Sequence, residues 1–172
     1  MNEGKLLVVD DEPAIRNFLV RVLEREGYQV QSAANGDEAL RYLDTTPFDL
    51  MLTDIKMDRL DGVELLKEAR QRYPNLAIIL LTGHATVASA VTALREGAYN
   101  YLLKPIKNEE ILISVAEALQ DRVRQQRRDL LEQFASQMAE LAPLDSANNS
   151  VPKLPIPIVY AGLTLNPTTY TA

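Results

Sequence analysis

Cysteine is absent from all 172 residues, which excludes disulfides and thiolate metal sites and agrees with a cytoplasmic protein. No apolar run approaches the roughly 20 residues that a membrane-spanning helix needs, so no membrane partner is expected. The opening Met1-Asn2-Glu3-Gly4-Lys5 gives way at once to strand-like sequence, unlike a signal peptide. Cationic charge is also in short supply: 18 Lys and Arg stand against 24 Asp and Glu, a net charge of −6. That balance argues against a sequence-independent grip on nucleic acid by the whole chain. It suits a site that collects acidic groups around a cation. The length allows one well-buried core with an appendage and is too short for two large domains.

Strand-type and helix-type segments alternate from residue 5 to about residue 120, the pattern of βαβ units around a parallel sheet. The apolar runs near 6–9, 50–53 and 77–81 do not alternate with polar residues, so helices are expected on both sheet faces. Tyr28-Gln29-Val30-Gln31-Ser32 does alternate and reads as an edge strand. Amphipathic stretches at about 13–26, 36–44, 62–72, 86–96 and from 108 onward are spaced for single helices. Pro13 suits a first helical turn, Gly27 a helix C-terminus and Asn35 a cap.

Polar groups stand just past the apolar strands: Asp10 and Asp11 after Leu6–Val9, Asp54 after Leu50–Leu52, Thr82 after Ile78–Leu81, and Lys104 after Tyr101–Leu103. In an open parallel sheet the carboxyl ends of the strands share one edge, where ligands bind. Carboxylates, a hydroxyl and an ammonium brought together there describe a metal-assisted phosphoryl-transfer site.

Past residue 108 the helical spacing continues through Val115, Leu119, Val123, Leu130, Phe134, Met138 and Leu141, further than a sheet-packed helix needs. Residues 123–142 read as a helical extension: either a solvated linker or a dimerising coiled coil, with Gln126, Gln133 and Gln137 weakening a strict heptad. Residues 143–157 are a flexible and then Pro-rich linker. Residues 158–172 read as a strand, a turn and the start of another strand, too little to be stable alone. The natural protein is therefore expected to continue into an output domain.

Val8-Val9-Asp10-Asp11-Glu12, Asp54 with Met57, Asp61 and Gly62 behind it, Leu81-Thr82-Gly83, and Gly97-Ala98-Tyr99-Asn100-Tyr101-Leu102-Leu103-Lys104-Pro105 occur in that order. With these motifs the chain resembles, over residues 1–122, the receiver domain of two-component response regulators. The tail is similar to the opening β segment of the family's winged-helix transcriptional regulators. The resemblance implies a flavodoxin-like, doubly wound α/β fold, a five-stranded parallel sheet of order 2-1-3-4-5 with five helices, the last extended. It implies Asp54 as phosphoacceptor from a sensor histidine kinase, and Mg2+ held by Asp10, Asp11, Asp54 and the Lys56 backbone carbonyl. Lys104 would contact the phosphoryl oxygens, Thr82 would donate its hydroxyl to them, and Tyr101 would turn inward as Thr82 moves. A cis bond before Pro105 is implied as well.

The face made by the fourth helix, fifth strand and fifth helix would then control homodimerisation, alone or with the extended helix, and through it an output such as transcription regulation. DNA would be reached only by a further C-terminal domain. Such a receiver is a signalling module, catalysing only its own phosphotransfer and autodephosphorylation. Lys56 and His84 flank the route of the attacking water in this family and would modulate the lifetime of the phosphoryl group, although His84 could equally be an exposed loop histidine. Asp58 departs from the family pattern, standing where proline is common.

Other uses of the same residues stay open at this point. Asp11 beside Pro13 could be a helix N-cap, Thr82 a cap for the next helix, and Tyr101 ordinary strand packing. A Mg-dependent aspartyl-nucleophile phosphohydrolase commonly carries an acid two positions past the nucleophile, where this chain has Lys56. A pseudo-receiver interaction module would not need the complete set of Asp10, Asp11, Asp54, Thr82 and Lys104.

Overall fold

The computed structural model describes residues 4–57, 60–83 and 86–141, together with the backbone of two short strands at 159–160 and 163–164. The elements run β1 (Lys5–Val9), α1 (Pro13–Arg25), β2 (Gln29–Ala33), α2 (Gly36–Thr45), β3 (Leu50–Asp54), α3 (Gly62–Arg72), β4 (Ala77–Thr82), α4 (Val87–Arg95), β5 (Asn100–Leu103) and α5 (Asn108–Leu141). The five strands are parallel in the order β2-β1-β3-β4-β5, as expected, with the alternating β2 at an edge.

Continuous apolar strands are explained by two cores, one on each sheet face. Successive side chains point to opposite faces. Leu7, Val9, Met51, Ile78 and Leu80 therefore pack with Ala39, Leu43, Leu65, Leu66 and Ala93 from α2, α3 and α4. Leu6, Val8, Leu50, Leu52, Ile79 and Leu81 pack on the other face with Leu19 and Leu23 of α1 and Ile111, Val115 and Ala118 of α5. Each large side chain so buried contributes roughly 1.5–3 kcal/mol.

Local chemistry sets the helix ends. Pro13 opens α1, and Gly27 takes φ +92° just past its C-terminus, a conformation other residues adopt only with strain. Asn35 accepts the Glu38 N–H at 2.9 Å to cap α2. Capping boxes open α3, from Asp61 and Glu64, and α4, from Thr86 and Ser89.

The backbone divides into two units, Met1–Phe134 and Ala135–Ala172. In the first, Arg122 fastens α5 to the lower rim of the sheet, donating to the Asn75 carbonyl at 2.7 Å and to Asp49 at 2.6 Å. The other Asp49 oxygen accepts the Lys5 backbone N–H at 2.7 Å. Val123, Leu130, Leu131 and Phe134 lie beyond that anchor and are exposed. In the second unit, β6 (Val159–Tyr160) and β7 (Leu163–Thr164) form an antiparallel pair. The linker expected at 143–157 lies outside the described residues. Among the described residues, no helix is long and apolar enough to cross a membrane.

Candidate functional site

Parallel pairing brings the polar strand ends to one edge. Val9 stands opposite Thr53, Asp54 opposite Leu81, and Thr82 opposite Leu103, so the residues that follow β1, β4 and β5 surround the end of β3. Asp10 is fully buried, Asp54 is 6% exposed and Thr82 is 3% exposed. Burying that much polar surface is unfavourable unless partners are supplied.

Lys104 supplies them. Its Nζ lies 2.7 Å from Asp10 Oδ2 and 2.8 Å from Asp54 Oδ1. The Lys104 N–H donates to the Thr82 carbonyl at 2.6 Å, which ties the lysine's own backbone to the end of β4. The peptide bond before Pro105 is cis, as the resemblance implied. Asp10 also accepts the Glu12 N–H at 2.9 Å, and the Asp10 carbonyl accepts from Arg16 of α1.

Burial pushes the Asp54 carboxyl up from its ordinary range; the Lys104 hydrogen bond and charge pull it back, while Asp10 and Asp11 raise it further. Burial alone would lower Lys104, but its hydrogen bonds to Asp10 and Asp54 raise it. The ammonium is thus held charged while it serves two carboxyl groups at once.

Gly62 sets how closely α3 approaches this centre. A Cβ on Gly62 would stand 2.1 Å from the Asp54 carbonyl oxygen, so only glycine lets the start of α3 lie against the end of β3. Its N–H donates to the Ile55 carbonyl at 2.9 Å.

Two alternative uses of these residues are now excluded. The residue preceding α1 is Glu12, and it makes no side-chain cap, so Asp11 is not an N-cap. The cap of α4 is Thr86, not Thr82. Asp11 is exposed at the mouth of the site and Lys56 is exposed just past β3. Tyr101 is half-buried on β5, packed against the core of α2, α3 and α4, and its hydroxyl lies 2.9 Å from Ser89 Oγ. His84 and Asp58 lie outside the described residues.

The donor set is hard oxygen throughout, the chemistry that suits Mg2+ rather than a soft metal. As placed, no three acidic or histidine side chains among the described residues form a group that could hold an ion; Lys104 bridges Asp10 and Asp54, and Asp11 is exposed. Two carboxyl groups on one ammonium, with the exposed Asp11 next to Asp10 in sequence, fit a divalent cation at the mouth of the site.

Ser89 and Gly62 are neighbours of the site that the strand-end pattern does not single out by role. Thr86-x-x-Ser89 is a variant of the capping-box spacing, so its cap was readable; its bond to Tyr101 was not.

Comparison with known proteins agrees with this geometry. The family model described as response regulator receiver domain matches residues 6–116. The chain is 36% identical over 120 residues to the NtrX-like response regulator of Rickettsia conorii, covering 69% of this chain and 25% of the relative. It is 38% identical over 127 residues to the DNA-binding transcriptional regulator NtrC of Salmonella typhimurium, covering 74% and 27% respectively. The chain therefore spans about a quarter of the length of these curated relatives. Among solved structures, the response regulator protein TrrA of Thermotoga maritima, in complex with Mg2+ and BeF, superposes with a TM-score of 0.62 at 35% identity, covering 67% of this chain and 98% of that one.

Proposed function

Because the chain belongs to the response regulator receiver domain family, we propose that it is a phosphorylation-controlled switch whose phosphoacceptor is Asp54. The observation that carries this is the nearly buried Asp54 carboxylate at the end of β3, paired at 2.8 Å with the Lys104 ammonium. An Asp54 oxygen attacks phosphorus in line, a P–O bond forms, and the P–N bond to the kinase histidine breaks, its electron pair returning to the imidazole. Asp10, Asp11, Asp54 and the Lys56 carbonyl would hold Mg2+, whose charge offsets that of the phosphoryl group when bound. Lys104 follows the transferred charge from the carboxylate to the phosphoryl oxygens, and Thr82 donates its hydroxyl to them.

Moving Lys104 and Thr82 alters the two strand ends that lead into α4 and α5. Val91, Leu94, Leu103 and Ile113 leave an exposed apolar face on α4, β5 and α5. That face, with the exposed stripe of Val123, Leu130 and Phe134, is suited to a homodimer whose geometry follows phosphorylation. Tyr101 reports the state of Thr82 to that surface. Lys56 and His84 would set how long the phosphoryl group survives. DNA would be contacted only through a further domain; one of the longer relatives is a DNA-binding transcriptional regulator. Intact mass after incubation with Mg2+ and acetyl phosphate tests the proposal: a single metal-dependent phosphoryl adduct supports it, and folded protein without an adduct contradicts it.

A further inference from the structure

The first turn of α4 is tied to Tyr101 through one hydroxyl. Ser89 Oγ lies 2.9 Å from the Thr86 carbonyl oxygen, 3.0 Å from the Thr86 N–H nitrogen and 2.9 Å from the Tyr101 hydroxyl. Thr86 Oγ1, also 3.0 Å from Ser89 Oγ, accepts the Ser89 N–H at 3.0 Å. A serine hydroxyl has one proton to give and two lone pairs to receive. Ser89 gives its proton to the Thr86 carbonyl, and its two lone pairs lie within reach of the Thr86 N–H, the Thr86 hydroxyl and the Tyr101 hydroxyl. The cap holds Ser89 Oγ in place independently of Tyr101, so little further ordering is needed to make the bond.

We propose that Ser89 is a positioning residue for the switch: its capped hydroxyl holds Tyr101 in the rotamer that accompanies the Lys104–Asp54 ion pair, and so sets the free energy of leaving that arrangement. This rests on the receiver function proposed above. Tyr101 packs its ring against the same core as α4, and its strand ends at Leu103, next to Lys104, whose N–H is bonded to the Thr82 carbonyl. Any rearrangement in which Tyr101 follows Thr82 must break the bond to Ser89, while the Ser89–Thr86 cap can remain. Removing the Ser89 hydroxyl thus eases the transition.

The test is a double-mutant cycle read by 19F NMR titration of Mg2+-dependent beryllofluoride binding, on the wild-type chain, Ser89→Ala, Tyr101→Phe and the double variant. Ser89→Ala is expected to bind about fivefold more tightly, the ratio produced by the net contribution of one ordinary hydrogen bond. Tyr101→Phe removes the same bond and gives a similar gain, and Ser89→Ala then adds nothing in the Tyr101→Phe background. Ser89→Thr, which keeps the hydroxyl, restores wild-type affinity, and Tyr101→Phe, which leaves the Ser89–Thr86 cap intact, separates this role from loss of the helix cap. An equal Ser89→Ala effect in both backgrounds, or none in either, overturns the proposal. Wild-type protein that binds beryllofluoride no better than Asp54→Asn overturns the receiver function itself, an outcome distinct from a bound mimic with no coupling.

Discussion

The Lys104 ammonium lies 2.8 Å from Asp54 Oδ1. The two residues are brought together because β3 lies next to β4 and β4 next to β5 in the sheet. The pair is incomplete as a charge balance, since the same ammonium also serves Asp10 at 2.7 Å. Burying two carboxyl groups against one ammonium is held at a cost in stability, and that cost is what a bound cation can relieve.

Asp54→Asn is accordingly expected to stabilise the protein at neutral pH in urea unfolding. The folded-state pKa of Asp54 is raised by burial. Its stabilising contribution is therefore complete below the unfolded carboxylate pKa and is lost as pH rises through the folded value. The advantage of the Asn variant is largest near pH 7 and shrinks as the wild-type carboxyl protonates on acidification. A variant less stable than wild type at pH 7, or a difference independent of pH, would count against this cost of burial.

Gly62→Ala places a methyl group 2.1 Å from the Asp54 carbonyl oxygen, and backbone cannot rotate away as a side chain could. A loss of about 2–3 kcal/mol is expected from this overpacking, with slower phosphorylation because α3 and the end of β3 must separate. Equilibrium unfolding checks it. A loss below about 0.5 kcal/mol, the range of ordinary surface substitutions, would mean that the close approach does not exist in solution.

Leu130 and Phe134 are 66% and 62% exposed on the part of α5 beyond the Arg122 anchor. In sedimentation velocity the wild-type chain is expected to dimerise at tens of micromolar or below, and the Leu130→Asp/Phe134→Asp variant to remain a monomer that still accepts phosphate. A dimer that survives this change but is lost in Leu103→Asp would move the interface to the α4-β5-α5 face; a wild-type monomer in both phosphorylation states would contradict dimer control.

Much of this was legible in the sequence. Leu6–Val9, Leu50–Leu52 and Ile78–Leu81 are apolar without alternation, which is possible for strands only if both faces are covered, and that alone dictates helices on each side. The placing of Asp10, Asp54, Thr82 and Lys104 at strand ends then follows from the topology. What the sequence left open were contacts decided by a single rotamer or a fraction of an ångström. Asp11 beside Pro13 has the residue types of a helix cap, yet Glu12 takes the position and leaves Asp11 at the site mouth. Ser89 reads as an ordinary cap residue; only the spatial adjacency of α4 and β5 gives its hydroxyl a second partner. The Arg122–Asp49 pair joins residues whose proximity depends on where a long helix crosses the sheet rim, and no local pattern encodes that.

The most direct measurement of the central claim is to identify the atom that carries phosphate. The chain is incubated with Mg2+ and acetyl phosphate, reduced with borohydride, which converts an aspartyl phosphate to homoserine, and mapped by tandem mass spectrometry beside Asp54→Asn. The expected result is homoserine at position 54 alone, dependent on Mg2+ and absent from the variant. Homoserine at another position, or an adduct of equal yield in Asp54→Asn, would contradict the assignment of Asp54 as phosphoacceptor.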